Sequence, residues 1–239
     1  MTRDVSQLVP YLQRTRIKIC GLTREADVDA AVAAGADAIG FVLYEKSPRH
    51  VPLARAAELA RRLPPFVTPV LLFVNEEPLK VGVACAQVPG AMAQFHGDES
   101  PQDCWLASGQ GARPYLRAAR IPLGDAGSRF DLLKFALDYS QAQAILLDAQ
   151  VDGYGGGGHA FNWSLLPPNV NAHLVLSGGL NAANVTDGIV QLQPRCKSLS
   201  VDISSGVEVP GQKGIKDPEK IRQFVAAVRR ADHHIHHSR

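Results

Sequence analysis

Two side chains that can exchange protons stand at the ends of short apolar segments. Cys20 comes near the end of the alternating segment 16–21, and Asp148 closes the apolar run 145–147. Burying a carboxylate is costly unless it is paired or functional, so Asp148 is expected either to act as an acid or base or to cap the following loop. Cys20 could be a general base, a nucleophile or a small core residue. A free thiol titrates near about 8.5, so base catalysis would need a nearby positive group such as Lys18, which lies on the same side of the segment.

Two glycine-containing turns predict a site for an anion. They follow the segments 174–176 and 198–201, and they read Ser177-Gly178-Gly179 and Ser204-Ser205-Gly206. Asn181 can cap the helix after the first turn, and the amides at a helix amino terminus attract phosphate. Either sequence could be a simple turn, but the two together favour a phosphorylated small-molecule ligand. A third glycine run, residues 155–158 with Gly156 within it, is either a flexible linker or a flap over that ligand.

Three further polar residues are candidates for ligand contacts. Arg49 follows a serine-proline turn, where a guanidinium would suit a carboxylate, although arginines on loops are usually solvated. His96 precedes a glycine and could be either a ligand contact or a structural imidazole. Asp202 shares a side of its predicted strand with Ser200, as His96 does with Gln94, so these polar groups are expected to collect at one rim.

The order of segments predicts the fold. Eight short apolar segments alternate with segments of helical pattern, which is typical of parallel α/β proteins. The predicted strands are residues 16–21, 38–43, 68–74, 91–95, 115–119, 144–147, 174–176 and 198–201. The predicted helices are 24–34, capped by Thr23, then one between Pro52 and Pro64, and 79–87, 102–108, 130–139, 162–166, 182–191 and 218–230. A single-domain (β/α)8 TIM barrel explains this pattern, with a doubly wound open sheet as the alternative.

The two ends of the chain lie outside the predicted barrel, which spans residues 16–230. Residues 1–15 lack a clear period and predict an N-terminal leader. Residues 231–239 form a His-rich C-terminal tail, and such a tail is more often solvated than part of a metal site. The sequence carries neither a dinucleotide-binding GxGxxG after its first strand nor a Walker sequence, and we expect no metal and no cofactor.

Composition narrows the class of partner. The chain has 239 residues, a net charge of +2 with mixed signs and no basic stripe, so nucleic acid and an anionic membrane are not expected partners. Its four cysteines lie far apart without CxxC spacing, which favours a reducing, cytoplasmic setting. Cys85, Cys104 and Cys196 fall in or beside helical segments and are interpreted as packing residues.

Several pieces of the sequence, in order from about residue 16 to about residue 230, resemble the phosphoribosylanthranilate isomerase family of tryptophan biosynthesis. They are Lys18-Ile19-Cys20-Gly21, Gly35-Ala36-Asp37-Ala38-Ile39-Gly40-Phe41, Ser47-Pro48-Arg49, Gln94-Phe95-His96-Gly97, Leu147-Asp148, Ser177-Gly178-Gly179-Leu180 and the run from Val201 to Glu208. The resemblance implies a (β/α)8 barrel that performs an Amadori rearrangement of an aminoaldose to an aminoketose without a cofactor.

The resemblance also implies a role for individual residues. Cys20 matches the family's general base, Asp148 its general acid, and Arg49 the group that holds the anthranilate carboxylate. The remaining expected substrate contacts are His96, Gly156, Gly178, Gly179, Asp202, Ser204, Ser205 and Gly206. The protein is expected to be a monomer or a homodimer.

Three other functions remain as alternatives. A sister isomerase of histidine biosynthesis performs the same rearrangement, but it resembles an Asp/Asp pair rather than a Cys/Asp pair. A Schiff-base aldolase could use Lys18. A barrel that binds a phosphorylated ligand for regulation would keep the glycine turns but would need neither Cys20 nor Asp148.

Overall fold

Eight parallel strands close into one barrel in the computed structural model, which describes residues 14–150 and 162–237. Each strand pairs with its neighbours in chain order, and β8 pairs with β1. The strands are β1 Arg16–Cys20, β2 Ala38–Val42, β3 Thr68–Phe73, β4 Met92–Phe95, β5 Tyr115–Ile121, β6 Ala144–Ala149, β7 Val170–Leu176 and β8 Cys196–Ile203. The predicted barrel is therefore confirmed, and the open sheet is wrong.

Helices follow most of the strands. They are α1 Glu25–Ala34, α2 Leu53–Ala60, α3 Pro78–Gln87, α4 Pro101–Ala107, α5 Leu132–Asp138, α6 Val185–Leu192 and α7 Pro218–His237. The helix predicted at residues 162–166 is wrong, because this segment forms only the short 3₁₀ turn Trp163–Leu165. Pro167 and Pro168 come directly after it, and proline cannot continue a helix.

Alternation along the strands divides their side chains between two cores. Outward-facing residues such as Ile19, Ile39 and Leu71 are fully buried against the helices. Inward-facing residues fill the barrel; its middle is apolar, with Val70, Leu116, Ala118, Leu146 and Val175 in one cluster. The polar residues of the inward face lie toward the ends of the strands, on either side of this apolar middle.

The two termini of the described chain meet at the amino-terminal end of the barrel. Thr15 is buried, and its amide and hydroxyl both donate to the carboxylate of Asp232 on α7. The helix continues past Arg230 to His237, beyond the point where the sequence interpretation ended the barrel and began a tail. Residues 1–13, 151–161 and 238–239 fall outside the description.

Two sequence interpretations concern single side chains. Thr23 does not cap α1; its hydroxyl donates to the carbonyl of Gly214 at 2.9 Å, and Arg24 takes the capping position. Cys85 and Cys104 are buried and Cys196 is partly buried, as expected of packing residues.

Within the described part of the chain, no helix is both long and apolar enough to cross a membrane.

Candidate active site

A ring of polar side chains surrounds the carboxyl end of the barrel, which we call the mouth. β1 contributes Lys18 and Cys20, β6 contributes Asp148 and β8 contributes Asp202, all on inward-facing positions, and His96 follows β4. All five are buried. Strand alternation predicts this arrangement, because a residue at a strand tip faces the same side as the residue two positions before it.

Cys20 lies beside a buried ion pair. Nζ of Lys18 donates to Oδ1 of Asp202 at 2.7 Å, and the two residues are register partners on β1 and β8. Gly40 on β2 leaves room for both side chains, because a Cβ there would lie 2.7 Å from Sγ of Cys20 and 3.0 Å from Nζ of Lys18. The thiol therefore has an ammonium group as its neighbour, which is the positive group that the sequence interpretation required.

Burial and charge act on Cys20 in opposite directions. Burial raises the pKa of the thiol above its ordinary value, and the positive charge and hydrogen bond of Lys18 oppose that rise without cancelling it. Burial alone would lower the pKa of Lys18, but Asp202 and then Cys20 outweigh it, so the pKa of this amine is raised. Lys18 is therefore held as an ammonium beside the thiol.

Both oxygens of Asp148 have hydrogen-bond partners. Oδ1 accepts from the amide of Ala149 at 3.0 Å, and Oδ2 lies 3.0 Å from Nε2 of His96. Nδ1 of His96 in turn lies 2.9 Å from the side-chain amide nitrogen of Gln94. The turn after β7 closes over the carboxylate, since a Cβ on Gly178 would lie 2.9 Å from Oδ1. Asp148 thus belongs to a hydrogen-bonded chain and does not merely cap its own loop.

Arg49 is already paired with a carboxylate. Its Nε and Nη2 donate to the two oxygens of Glu208 at 2.7 and 2.9 Å, and both side chains are buried. Nζ of Lys216 also donates to Glu208, at 3.1 Å. The loop arginine is therefore not solvated, and its Nη1 is left for a further acceptor. A Cβ on Gly21 would lie 2.5 Å from Cδ of Arg49, so this guanidinium sits directly beside the turn that follows Cys20.

Arg49, Glu208 and Lys216 form a group, which we call the Glu208 cluster, with more basic than acidic side chains. Burial works to raise the pKa of Glu208, but the hydrogen bonds from Arg49 and the charge of Lys216 outweigh it and hold that pKa below its ordinary value. Burial lowers the pKa of Lys216, with Glu208 opposing the change. With two basic side chains around one carboxylate, the cluster is suited to a negatively charged ligand group.

The two predicted anion-binding turns contact each other. A Cβ on Gly206 would lie 2.0 Å from the carbonyl oxygen of Leu180, so the turn after β8 packs its backbone directly on the turn after β7. Gly178 and Gly179 both have positive φ, at 76° and 62°, a conformation that glycine adopts without strain. These two adjacent glycines reverse the direction of the backbone between β7 and α6.

Side chains of the two turns are tied to the rest of the mouth. Ser177 donates to Oδ2 of Asp202 at 3.2 Å, and Ser204 receives hydrogen bonds from Lys216 on its carbonyl and its hydroxyl oxygen. Asn181 accepts from the amides of Ala183 and Asn184, within the turn that leads into α6. Ser205 begins a short 3₁₀ turn. The predicted contact Gly156 lies outside the described residues.

Four residues of the mouth had no role in the sequence analysis: Gly40, Gln94, Glu208 and Lys216. Alternation placed Gln94 on the inward face, and a buried amide inside a barrel is a signal that could have been used. Glu208 stood within the resembling segments, but its pairing with Arg49 joins residues 159 positions apart. Lys216 lies in the connection before α7, where no periodic pattern indicates its direction.

Comparisons with known proteins agree with this geometry. Residues 17–227 match the family model described as N-(5'-phosphoribosyl)anthranilate (PRA) isomerase. The N-(5'-phosphoribosyl)anthranilate isomerase of Methylibium petroleiphilum is 62% identical over 219 residues, which cover 92% of this chain and 96% of that protein.

Solved structures give the same answer. A phosphoribosyl anthranilate isomerase from Thermotoga maritima superposes with a TM-score of 0.77 at 36% identity, covering 90% of this chain and 98% of that one. Another, in complex with reduced 1-(o-carboxyphenylamino)-1-deoxyribulose 5-phosphate, has a TM-score of 0.74 at 34% identity and covers 90% and 98% of the two chains. The chain that carries this mouth therefore belongs to the N-(5'-phosphoribosyl)anthranilate isomerase family.

Proposed function

We propose that this protein converts N-(5'-phosphoribosyl)anthranilate to 1-(2-carboxyphenylamino)-1-deoxyribulose 5-phosphate, a step of tryptophan biosynthesis, with Asp148 as the general acid and Cys20 as the general base. Family membership supports the reaction. The observation that carries the assignment of roles is the convergence of a thiol on β1 and a carboxyl group on β6 at one mouth. An Amadori rearrangement needs one group that gives a proton and one that takes a proton.

Asp148 performs the first step. It protonates the oxygen of the furanose ring while the nitrogen lone pair forms a double bond to C1 and the bond between C1 and the ring oxygen breaks. The product is an open-chain iminium ion, and Asp148 is left as a carboxylate. The amide of Ala149 donates to one oxygen and supports that charge as it forms, and the imidazole of His96 lies 3.0 Å from the other oxygen.

Cys20 performs the second step in its thiolate form. It takes the proton from C2 of the sugar, and the electron pair of that bond moves to the iminium and gives an enolamine. The positive iminium makes this carbon acid strong, so a thiolate is a sufficient base. Lys18 favours the thiolate from the adjacent inward-facing position on β1. Return of a proton to C1 and loss of the proton on the C2 hydroxyl then give the ketone.

The Glu208 cluster provides a binding site for the anthranilate carboxylate. Arg49 keeps Nη1 free of Glu208, and the other basic side chain of the cluster, Lys216, is fully buried against the same carboxylate. Glu208 fixes the plane of the guanidinium by two parallel hydrogen bonds, so Arg49 presents its remaining donors in one direction. Arg49 thus binds a part of the substrate that does not react.

The substrate phosphate is assigned to the paired turns after β7 and β8. Gly178 and Gly179 on one side and Ser204, Ser205 and Gly206 on the other offer backbone amides at the mouth, next to α6. His96 and Asp202 are buried at the same mouth, beside Asp148 and Lys18 respectively, and we assign them to contact the sugar. A phosphate here would hold the sugar between Cys20 and Asp148.

The structure bears on two of the alternative functions. A Schiff-base aldolase needs a neutral lysine, but the raised pKa of Lys18 beside Asp202 keeps it protonated. An isomerase that works with two aspartates would need a carboxylate at the position of Cys20. A regulatory barrel would bind the phosphorylated ligand without converting it, so an assay of substrate conversion distinguishes it from an isomerase.

We also propose an oligomeric state, a cellular location and bounds for the barrel domain. Four free thiols support a reducing, cytoplasmic setting, and we propose that the protein is a monomer or a homodimer. Phe66 is fully exposed in the loop before β3, at the end opposite the mouth, so association through that end would leave the mouth open. Sedimentation at assay concentration distinguishes the two states. A barrel spanning residues 16–230 with an N-terminal leader and a C-terminal tail remains the proposed organisation, although α7 ends only at His237.

The direct test is the fluorescence of freshly prepared N-(5'-phosphoribosyl)anthranilate on addition of the purified protein. We expect a protein-dependent decay that is first order in protein and saturates with substrate. Borohydride treatment during turnover is expected to leave Lys18 unmodified. Binding of the substrate without decay would instead support the regulatory barrel and contradict the proposed function.

A further inference from the structure

Gln94 is a polar side chain in a place where packing alone would favour an apolar one. It lies on the inward face of β4, one position below the mouth, and is completely buried. Its side-chain carbonyl oxygen accepts no hydrogen bond from any residue that the structure describes. Its register partner on β5 is Leu116, which belongs to the apolar cluster that fills the barrel. An unpaired buried carbonyl destabilises a protein, so the amide needs an explanation other than packing.

The amide nitrogen of Gln94 provides that explanation through His96. It lies 2.9 Å from Nδ1 of the imidazole. An amide nitrogen can only donate, so Nδ1 is the acceptor and the ring carries its proton on Nε2. That nitrogen lies 3.0 Å from Oδ2 of Asp148, which therefore accepts. The three side chains form one directed chain of hydrogen bonds that ends on the proposed general acid.

We propose that Gln94 is a positioning residue for the general acid: it holds His96 in the tautomer that donates to Asp148, so that the carboxylate left after proton transfer is stabilised where it forms. The inference rests on the proposed function of Asp148. In the step concerned, the proton of Asp148 goes to the ring oxygen and the bond from that oxygen to C1 breaks. His96 keeps its own proton throughout, and Gln94 does not touch the substrate.

Other charged groups face the same carboxylate. Arg120 on β5 is the register partner of Asp148 and has Nη1 3.5 Å from Asp98. Across the mouth stand the Lys18 and Asp202 pair and the thiol of Cys20. None of these groups contacts the imidazole through Nδ1, where Gln94 lies. The tautomer of His96 is therefore set by Gln94 and not by the charges of the mouth.

The test compares three substitutions of similar volume. Gln94→Met removes the donor, Gln94→Glu replaces it with an acceptor, and Leu116→Met is the control at the same level of the barrel. We expect Gln94→Met to lower kcat about tenfold, with KM changed less than about twofold and Tm not lowered. Leu116→Met is expected to retain the kcat of the wild type. A kcat for Gln94→Met within about twofold of the wild type would overturn the inference.

Gln94→Glu adds a pH signature that a packing role would not produce. A carboxylate beside Nδ1 favours the imidazolium, and that positive charge favours the carboxylate form of Asp148. The limb on which kcat falls as Asp148 loses its proton is therefore expected to move to lower pH. An unchanged limb would show that the imidazole of His96 does not transmit the effect of the Gln94→Glu charge to Asp148.

In an Asp148→Asn background, Gln94→Met is expected to cause no further loss of kcat, because its effect passes through that carboxyl group.

A readout that does not depend on turnover separates this inference from the proposed function. In ¹⁵N-histidine NMR spectra, with His96→Asn used to assign the signal, we expect the wild-type ring to carry its proton on Nε2 alone. We expect Gln94→Met to lose this preference for Nε2, and Gln94→Glu to carry protons on both ring nitrogens. A proton on Nδ1 in the wild type would overturn the inference even if the protein is an active isomerase. An inactive wild type with the expected tautomer would overturn the proposed function and with it the role of Gln94.

Discussion

The two ends of the barrel both collect charged side chains, but they hold them in different surroundings. At the mouth, Lys18, Asp202, Arg49 and Glu208 are each less than a tenth exposed and pair directly with one another. At the amino-terminal end, a cavity of about 430 Å³ opens between the first residues of the strands. The charged side chains there are more accessible to solvent.

The pairs of the amino-terminal end join the ends of the chain. Asp37 contacts Arg14 and the amide of Ile17, and its side chain is 20% exposed. Arg229 on α7 is 27% exposed and donates to the carbonyl of Thr15. These contacts fasten the first strand to the last helix, which stabilises a closed barrel.

This difference indicates what each end contributes. A buried ion pair loses the hydration of two charges, so it is a weak source of stability compared with apolar packing. At the mouth such pairs lie beside the thiol of Cys20 and at the proposed carboxylate-binding site, so their proposed role is to set charge and direction for the substrate. The amino-terminal end has no proposed chemistry. Substitutions at the mouth should therefore change activity most, and those at the other end should change stability most.

The largest expected effect is the loss of either proton-transfer group. Cys20→Ala and Asp148→Asn are each expected to lower kcat by about 10²–10⁴-fold, because each removes one partner of the acid and base pair. Their Tm values are expected to stay within a few degrees of the wild type. The measurement is the substrate fluorescence assay together with thermal unfolding. Cys85→Ala, which removes a buried thiol far from the mouth, is the control. If both variants keep nearly full activity, the mechanism is wrong.

Loss of Arg49 should come next. Arg49→Ala removes a charge-assisted contact to a part of the substrate that does not react, so KM is expected to rise by about 10–100-fold, more than kcat falls. Arg55→Ala, which removes a partly exposed arginine paired with Glu25 on the outer helices, is the control. Steady-state kinetics at a range of substrate concentrations measure both constants. Equal KM values for Arg49→Ala and the wild type would remove Arg49 from the site.

The pH dependence should show the thiol. Because burial raises the pKa of Cys20, the thiolate fraction at neutral pH is small. As long as the pH is below that pKa, the fraction grows about tenfold for each unit by which the pH rises. We therefore expect the ionisation of Cys20 to give a limb on which kcat/KM rises with pH, distinct from the limb on which activity falls as Asp148 loses its proton. Lys18→Met removes the cation that opposes the shift, so the rising limb is expected to move to higher pH. A pH profile that Lys18→Met leaves unchanged would contradict a thiolate base at Cys20.

The amino-terminal end should respond in the opposite manner. Asp232→Ala leaves the buried amide and hydroxyl of Thr15 without their acceptor, so we expect a loss of about 1–3 kcal/mol in the free energy of unfolding. Activity below Tm is expected to change less than about twofold. Glu219→Ala on the same helix breaks an exposed pair with Arg222 and should lower the free energy of unfolding less than Asp232→Ala does. Equal losses in the two variants, measured by urea unfolding, would show that the Thr15 contact does not hold the barrel closed.

Much of this architecture is local and therefore accessible from the sequence. Alternation along a strand places Cys20, Lys18 and Asp148 inside the barrel, and closure then brings β1 and β6 to one mouth. The pairing of Arg49 with Glu208 depends on loops that approach in space, so no local pattern predicts it. The helix expected at residues 162–166 was wrong because its apolar pattern is too short to outweigh the two prolines that follow. Thr23 has the residue type of a cap, but its hydroxyl contacts a distant carbonyl instead.

The smallest expected effect concerns backbone conformation at the amino-terminal end. Gln110 lies in the exposed turn between α4 and β5 with a φ of 60°, and its amide donates to the carbonyl of Trp105. Glycine keeps that hydrogen bond and adopts positive φ without strain, so Gln110→Gly is expected to leave stability unchanged or to raise it by up to about 1 kcal/mol. Gln223→Gly, on the exposed face of α7, makes the same substitution within a helix and should lower the free energy of unfolding by about 1 kcal/mol.

Thermal unfolding of these two variants compares one substitution in two conformations. We expect Tm to fall for Gln223→Gly and to stay unchanged or rise for Gln110→Gly, with the activity of both variants unchanged because neither residue lies at the mouth. A loss of stability for Gln110→Gly as large as that for Gln223→Gly would mean that the Gln110 side chain itself stabilises the turn, and that the left-handed backbone at this end of the barrel carries little strain.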